Sequence, residues 1–408
     1  MNRMPNPGVA PDSRGEQNAF ALACFRAIGS ASAGARPWES VRDWTRAVET
    51  LENHGLLPCL DRAVQAPDDV RRRVLETKLR AATYQSNALD ALNGISREMG
   101  AAGIRYAVLK GTYLYELLYR DLFPRAYGDI DLLVPANRIA EAMAALEKAG
   151  YDRDPQHGSH GAMPRWHFHA ALTSRKPGGL PVELHRSLVD RANLYRIREE
   201  ELFGRLAEFK ARQGGFTVLS AEDQLLYLCL HAAKHGILNS VGLRNGYAPE
   251  WFCDPAAGNR LLWFLDIELF LRKYSDRLDW PAVAERMQRW NVSGDVADGL
   301  RVLRLLRPGS AAEVALDRLG VSPSAGAARP RGLSGLWRSR TGQAWLEHSM
   351  RTAPRLCFRP IRCVLIGRSL APSPARLLAY YGKRNPAWLP WLYLKHPFHM
   401  VRKLLGPF

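Results

Sequence analysis

The sequence predicts an α+β fold, a small mixed sheet flanked by helical N- and C-terminal segments. Three observations predict it. Apolar residues recur at helical spacing up to about residue 102 and again after about 191. Between these stretches, short apolar or alternating runs at 104–109, 129–134 and 181–185 are set off by glycine turns. The order strand, helix, strand, helix, strand, strand fits within roughly 85 residues, the scale of one small sheet with its covering helices.

Taken in order, residues 1–18 are polar and rich in Pro and Gly. They read as a disordered lead-in without the apolar stretch of a signal peptide. In the helical segment 19–102, Trp44, Val48 and Leu51 share one helix face. Asn53-His54-Gly55 stops that helix, with Gly55 as its left-handed cap. A second helix runs from Pro67 to Gly100, with Asp68 and Asp69 suited to the positive end of its dipole. The core, 103–190, starts with a strand over Ile104–Leu109, a break at Lys110-Gly111-Thr112 and a helical run from Tyr113 to Tyr119. A central strand follows at Asp129–Val134, then a helix from Ile139 to Ala149 ending at Gly150. Trp166, Phe168, Ala170 and Leu172 alternate with period two, and Pro181–His185 is one more strand.

From 191 to 319 the pattern reads as helical. Ala221–Lys234 is apolar on one face behind Ser220 as N-cap. A loop spans Gly242–Asn259, and helices occupy Leu261–Tyr274 and Pro281–Leu306. Gly320–Gly335 has a linker's composition and opens a basic extension, 320–408.

The 408 residues are 47% hydrophobic and 24% charged, which excludes a disordered, collagenous or disulfide-scaffold protein. The net charge of +17 is uneven: from Val321 onward 15 Lys/Arg face a single acid, Glu347. Arginines there interleave with Trp337, Trp345, Phe358, Tyr380, Tyr381, Trp388, Trp391 and Tyr393. Such a tail over 329–403 packs on the body, lies on an anionic membrane surface or, less readily, binds nucleic acid. Pro386, Pro390 and Pro397 exclude one continuous amphipathic helix. Cys24, Cys59, Cys229, Cys253, Cys357 and Cys363 show no zinc-ligand spacing and read as reduced thiols of a cytoplasmic protein. No apolar run reaches transmembrane length.

The chemical signal is Asp129-x-Asp131. Alternation puts both carboxylates on one face of a strand, with Cα atoms about 6.5–7 Å apart. Two such charges repel by about 4 kcal/mol at 4 Å and an effective dielectric near 20. Bound Mg²⁺ reverses the sign of that interaction. Many exposed strands carry D-x-D as a solvated face, but the apolar Ile130, Leu132 and Leu133 argue for a buried strand. Leu109-Lys110-Gly111-Thr112 runs into a glycine turn whose N–H groups suit a phosphate. Val182-Glu183-Leu184 supplies a third acid on a strand fit to lie beside the first.

Strand-LKG-helix, an Arg, D-I-D-L-L-V and then V-E-L-H resemble the nucleotidyltransferase superfamily with the DNA polymerase β-like fold. The likeness is closest to its uncharacterised bacterial nucleotidyltransferase group and runs from about Trp44 to about Leu306. It implies an enzyme that moves a nucleotidyl group from an NTP to an acceptor with the help of Mg²⁺ or Mn²⁺. By position, Asp129 and Asp131 match the metal-binding pair. Glu183 matches the third acid, which holds metal or draws the acceptor's proton. Gly111 and Thr112 match the turn that holds the triphosphate. The turn is Gly-Thr where Gly-Ser or Gly-Gly is usual. The third acid is Glu where Asp is commoner, and Gly111 and Asp129 stand further apart than in most of the superfamily.

Neighbouring residues keep two readings each. Lys110 contacts a phosphate or is a solvated strand-end lysine. Arg125 neutralises the triphosphate or pairs with Asp129 or Asp121. His185 shares a face with Glu183 as its partner or is a satisfied strand histidine. His231 and His235 have zinc-ligand spacing, but Ala232 stands where H-E-x-x-H needs its glutamate. With Asp266 they line the helical side of a substrate cleft or are structural. Two further classes of function stay open: a non-catalytic nucleotide-binding or scaffold subunit of a biosynthetic complex, and a binder driven by the tail.

Overall fold

In the computed structural model, residues 13–28, 37–60, 66–153, 169–189, 195–235, 239, 243, 246–254, 259–322 and 391 are described. The expected strand positions Trp166 and Phe168 lie outside the described residues, as do most of the Gly320–Gly335 linker and of the basic tail.

Seven strands form one mixed sheet: β1 (Ala107–Val108), β2 (Ile130–Leu133), β3 (Tyr151–Arg153), β4 (His169–Ser174), β5 (Val182–His185), β6 (Ala207–Lys210) and β7 (Gly215–Val218). Their order is β3-β4-β5-β2-β1-β7-β6. The pairs β2–β5 and β1–β7 are parallel, and the other neighbours are antiparallel. The central strand β2 and its neighbour β1 are buried throughout. That is why D-I-D-L-L-V passes from alternation to a continuous apolar run.

Eleven helices among the described residues surround the sheet. They are α1 (Ser13–Ala27), α2 (Trp44–Asn53), α3 (Asp68–Ala101), the short α4 (Thr112–Leu114), α5 (Ile139–Lys148) and α6 (Glu199–Gly204) on the N-terminal side of the second half. There follow α7 (Ala221–His235), α8 (Leu261–Tyr274), α9 (Trp280–Arg289), α10 (Ser293–Leu306) and α11 (Ala311–Arg318). The mixed α+β class is as expected from the sequence. The ends of α2, α3, α5, α7 and α8 lie within a residue or two of where caps and periodicity put them. At the end of α2, Gly55 has φ +71° and Leu56 N–H donates to Leu51 O at 2.8 Å, closing the left-handed cap. A Cβ on Gly55 would meet Leu262 Cδ2 at 2.8 Å, so the cap also admits α8 close to the chain.

Three readings are corrected, and the helix expected over Tyr113–Tyr119 is refined. Helix α1 begins at Ser13, inside the stretch read as disordered, because Ala21, Leu22 and Phe25 are buried and their burial outweighs a polar start. The strand at 104–109 shrinks to Ala107–Val108, since Ile104 N–H turns back to Met99 O to finish α3. The 207–218 stretch, read as helical, is a hairpin. Its turn closes through Ala211 N–H to Gly214 O at 3.1 Å, and Phe209 packs on Phe216 with ring centroids 5.4 Å apart. The run after Thr112 widens at Tyr115–Tyr119 into a π-helical turn, where Arg120 N–H donates to Tyr115 O at 2.9 Å. No helix among the described residues is long and apolar enough to cross a membrane.

Candidate metal and nucleotide site

The site is built where β2 and β5 run side by side. Their parallel register sets Asp131 beside Glu183 and Leu133 beside His185. Alternation then brings Asp131, Glu183 and His185 to the same face of the sheet, while Ile130, Leu132, Val182 and Leu184 fill the core on the other. One ligand atom from each of Asp131, Glu183 and His185 lies within 4.8 Å of the others. Asp129 precedes β2 on the same face and is half-buried.

Asp131 is the centre of the cluster and is 1% exposed. Its Oδ1 lies 2.9 Å from His185 Nε2, and its Oδ2 lies 3.0 Å from Lys110 Nζ. His185 Nε2 also approaches Glu183 Oε2 at 3.5 Å. Burial opposes the charge on Asp131, but Lys110 and His185 outweigh it and hold the carboxyl well below the usual range. Burial likewise opposes the charge on Lys110, and Asp131 and Asp129 more than restore it. His185 is raised as well, its desolvation overcome by the hydrogen bonds with Asp131 and Glu183. Asp129 goes the other way. Burial, with repulsion from Asp131, lifts it from the ordinary 3.8 to about 6.

The glycine turn stands at the end of β1, where Leu109 N–H donates to Asp131 O at 3.1 Å and fixes the turn against β2. Gly111 has φ +50° and ψ −104°, a conformation that glycine adopts freely and side chains resist. A Cβ there would stand 3.1 Å from Tyr127 Cδ2 and 3.3 Å from Asp129 O. Thr112 is buried, and its hydroxyl faces Tyr127 OH at 3.4 Å. Tyr127 OH in turn donates to Gln85 Oε1, and Gln85 Nε2 donates to Glu116 at 2.9 Å. Helix α3 thus buttresses the turn from behind. Gly111→Ala is expected to cost about 1–3 kcal/mol, the price of a strained backbone position. Urea unfolding of the variant checks this, and unchanged stability would mean the turn relaxes.

The other expected residues divide into two groups. Arg125 and Asp266 are turned toward each other. Arg125 Nε and Nη2 donate to the two carboxylate oxygens at 2.8 and 2.6 Å, and Tyr119 OH donates to Oδ1 at 2.6 Å. Both are buried, so the pair ties the chain before β2 to α8. Tyr227, His231 and His235 follow one another at i, i+4 and i+8 on α7. His231 and His235 pack on Trp263 of α8, with ring centroids at 5.2 and 4.6 Å. Burial, with Lys110 and His235, keeps His231 well below the ordinary histidine value. Burial and Lys234 bring His235 down to about 4. Both rings are therefore neutral near pH 7. The charges of Lys110 and Asp131 act on Tyr227 and His231, so this aromatic row begins beside the acids.

Sequence reasoning did not bring out the weight of His185, which enters the ligand cluster more closely than Asp129 does. The signal was present in V-E-L-H, whose acid and imidazole share a strand face. It also missed the partnership of Lys110 with Asp131, which forms where the chain has left β1 at the glycine turn beside β2. A sequence model of the family described as uncharacterised nucleotidyltransferase matches residues 40–308 of this chain. No curated protein matches it.

Proposed function

The chain belongs to the uncharacterised nucleotidyltransferase family, and on that footing we propose that it transfers a nucleotidyl group from an NTP to an acceptor hydroxyl or other nucleophile, with release of pyrophosphate. The observation that carries this reading is the register of β2 on β5, which aims Asp131 and Glu183 at one point beside the glycine turn.

The donor set fits a divalent ion: three close ligand atoms, two of them carboxylate, with the raised carboxyl of Asp129 next to them. Asp131, Glu183 and His185, with Asp129 beside them, are the residues that would hold Mg²⁺ or Mn²⁺. Such an ion, when bound, neutralises phosphate charge and favours the ionised form of an attacking hydroxyl. Gly111 and Thr112 hold the triphosphate against the end of β1. Glu183, half-buried at the mouth of the cluster, accepts the proton as the acceptor oxygen bonds to the α-phosphorus and the bond to pyrophosphate breaks. His231, His235 and Trp263 form the wall on the α7–α8 side.

The test needs no acceptor. Thermal unfolding of the wild type is compared with Asp129→Asn/Asp131→Asn, in Mg²⁺ or Mn²⁺ with each of the four NTPs. A ligand at 100 times its Kd stabilises by about 2.7 kcal/mol. A shift in the wild type that requires both metal and acids supports the reading and identifies the donor base. A folded wild type that no NTP shifts would overturn it.

Metal binding should also depend on pH through Asp129. Its folded value of about 6 lies above the ordinary 3.8, so the folded protein binds the extra proton between those values. Ionising Asp129 therefore costs stability as the pH rises through about 6, and that cost persists above it. An ion bound to the charged carboxylate offsets the cost. The stabilisation given by Mn²⁺ should accordingly be larger near pH 7.5 than near pH 5 in melting experiments. An equal gain at both would place Asp129 outside the ion's reach.

A further inference from the structure

We propose that Lys110 is a built-in counter-ion that occupies Asp131 until nucleotide arrives, so that metal and nucleotide bind this protein cooperatively. The inference rests on the nucleotidyl-transfer reading and adds to it a rule for how the site loads.

Oδ1 of Asp131 is hydrogen-bonded with His185, while its buried Oδ2 has no hydrogen-bond partner and only the Lys110 ammonium beside it, 3.0 Å away as an ion pair. The Asp131 side chain has no solvent exposure, whereas that of Lys110 has 19%. Lys110, next to the glycine turn, keeps partial solvent contact and so has room to swing away from Asp131. An ammonium and a divalent cation cannot share one buried carboxylate oxygen without strong repulsion. Metal entry at Oδ2 requires Lys110 to leave.

Where Lys110 goes decides the energetics. The carboxylates acting on it are Asp131 and Asp129, and a bound ion claims both. Toward α7 it would meet the neutral ring of His231, with Lys234 adding positive charge nearby. Lys110 is also the residue just before the Gly111–Thr112 turn, and its flexible stem lets the ammonium swing without moving the backbone. The triphosphate held at that turn is the anion within its reach. Metal alone must break the Lys110–Asp131 pair without replacement. Metal with nucleotide exchanges that pair for a new one. The coupling is reciprocal: nucleotide tightens metal as much as metal tightens nucleotide.

The experiment follows free Mn²⁺ by electron paramagnetic resonance during titration of wild type, Lys110→Met, Lys110→Gln and Lys110→Arg. Each is titrated with Mn²⁺ alone and with an equimolar mixture of ATP, GTP, CTP and UTP, corrected for Mn²⁺ bound by the nucleotides themselves. Lys110→Met and Lys110→Gln are expected to bind Mn²⁺ alone on the order of tenfold more tightly than wild type, a coupling of ordinary size. Lys110→Arg keeps the charge and should resemble wild type. The NTP mixture should tighten Mn²⁺ binding in wild type and do so much less in the Met and Gln variants. Lys110→Gln retains a donor for Asp131, which keeps the comparison available if the Met variant folds poorly. Variants that bind Mn²⁺ no more tightly than wild type would overturn the proposal. If wild type still takes up NTP with metal in that case, the nucleotidyl-transfer reading survives. If Mn²⁺ binding tightens in the variants but NTP affects no protein, cooperativity and the nucleotidyl-transfer reading both fall.

Discussion

Asp131→Asn is expected to abolish the metal-dependent stabilisation by nucleotide and to lower any transfer rate by roughly 10²–10³-fold or more, the scale of losing a preorganised electrostatic group. The reason lies in the position of one side chain. Asp131 is the contact point of Glu183 through strand register, of His185 through Oδ1 and of Lys110 through Oδ2. Asparagine preserves the shape and accepts a hydrogen bond through its oxygen, so the β2–β5 pairing stays. What is lost is the charge that draws an ion to the cluster. The variant should therefore fold and melt cooperatively while NTP with Mg²⁺ or Mn²⁺ no longer raises its melting temperature. Asp129→Asn, outside the tight ligand cluster, should have the smaller effect of the two. Melting curves of both variants with and without NTP and metal make the comparison. Retained nucleotide-dependent stabilisation in Asp131→Asn would remove Asp131 from the centre of the site.

Much of this arrangement was legible because its signals are local. D-I-D-L-L-V declares a buried strand with two acids on one face, and V-E-L-H declares its neighbour. A glycine at the end of an apolar run marked both the cap at Gly55 and the turn at Gly111. What was not legible depends on residues far apart in the chain. The 207–218 hairpin joins the sheet through β7 beside β1, an addition across more than 100 residues with only Val108 and Val218 in register. Its two strands are four residues each, too short to display a period. Lys110 meets Asp131 only because the turn after β1 is held against β2, and no spacing in the sequence encodes that geometry. Helix α1 shows the converse case: local composition argued for disorder, and burial of its apolar face decided otherwise.

Arg125 and Asp266 are the sharpest instance: the sequence offers each a substrate or a structural role, with Asp129 or Asp121 as the partner of Arg125, and the two face each other. Asp266→Ala is expected to destabilise the protein by about 3–5 kcal/mol, since it leaves the Arg125 guanidinium buried without its carboxylate. The environment makes this severe. Arg125 is 4% exposed, and Asp266 receives two guanidinium donors and the Tyr119 hydroxyl. Desolvation alone would lower the affinity of Arg125 for its proton, yet Asp266 raises it. Removing both charges together should cost less than removing one, because no ion is then stranded. The double variant Arg125→Met/Asp266→Leu should therefore be more stable than Asp266→Ala in urea unfolding, and a double-mutant cycle measures the coupling. Nucleotide binding separates the two roles of Arg125. If the pair serves to tie the chain before β2 to α8, the folded double variant keeps most of its metal-dependent nucleotide stabilisation. If instead that stabilisation disappears in a double variant that melts as cooperatively as wild type, Arg125 must leave Asp266 for the triphosphate when substrate binds.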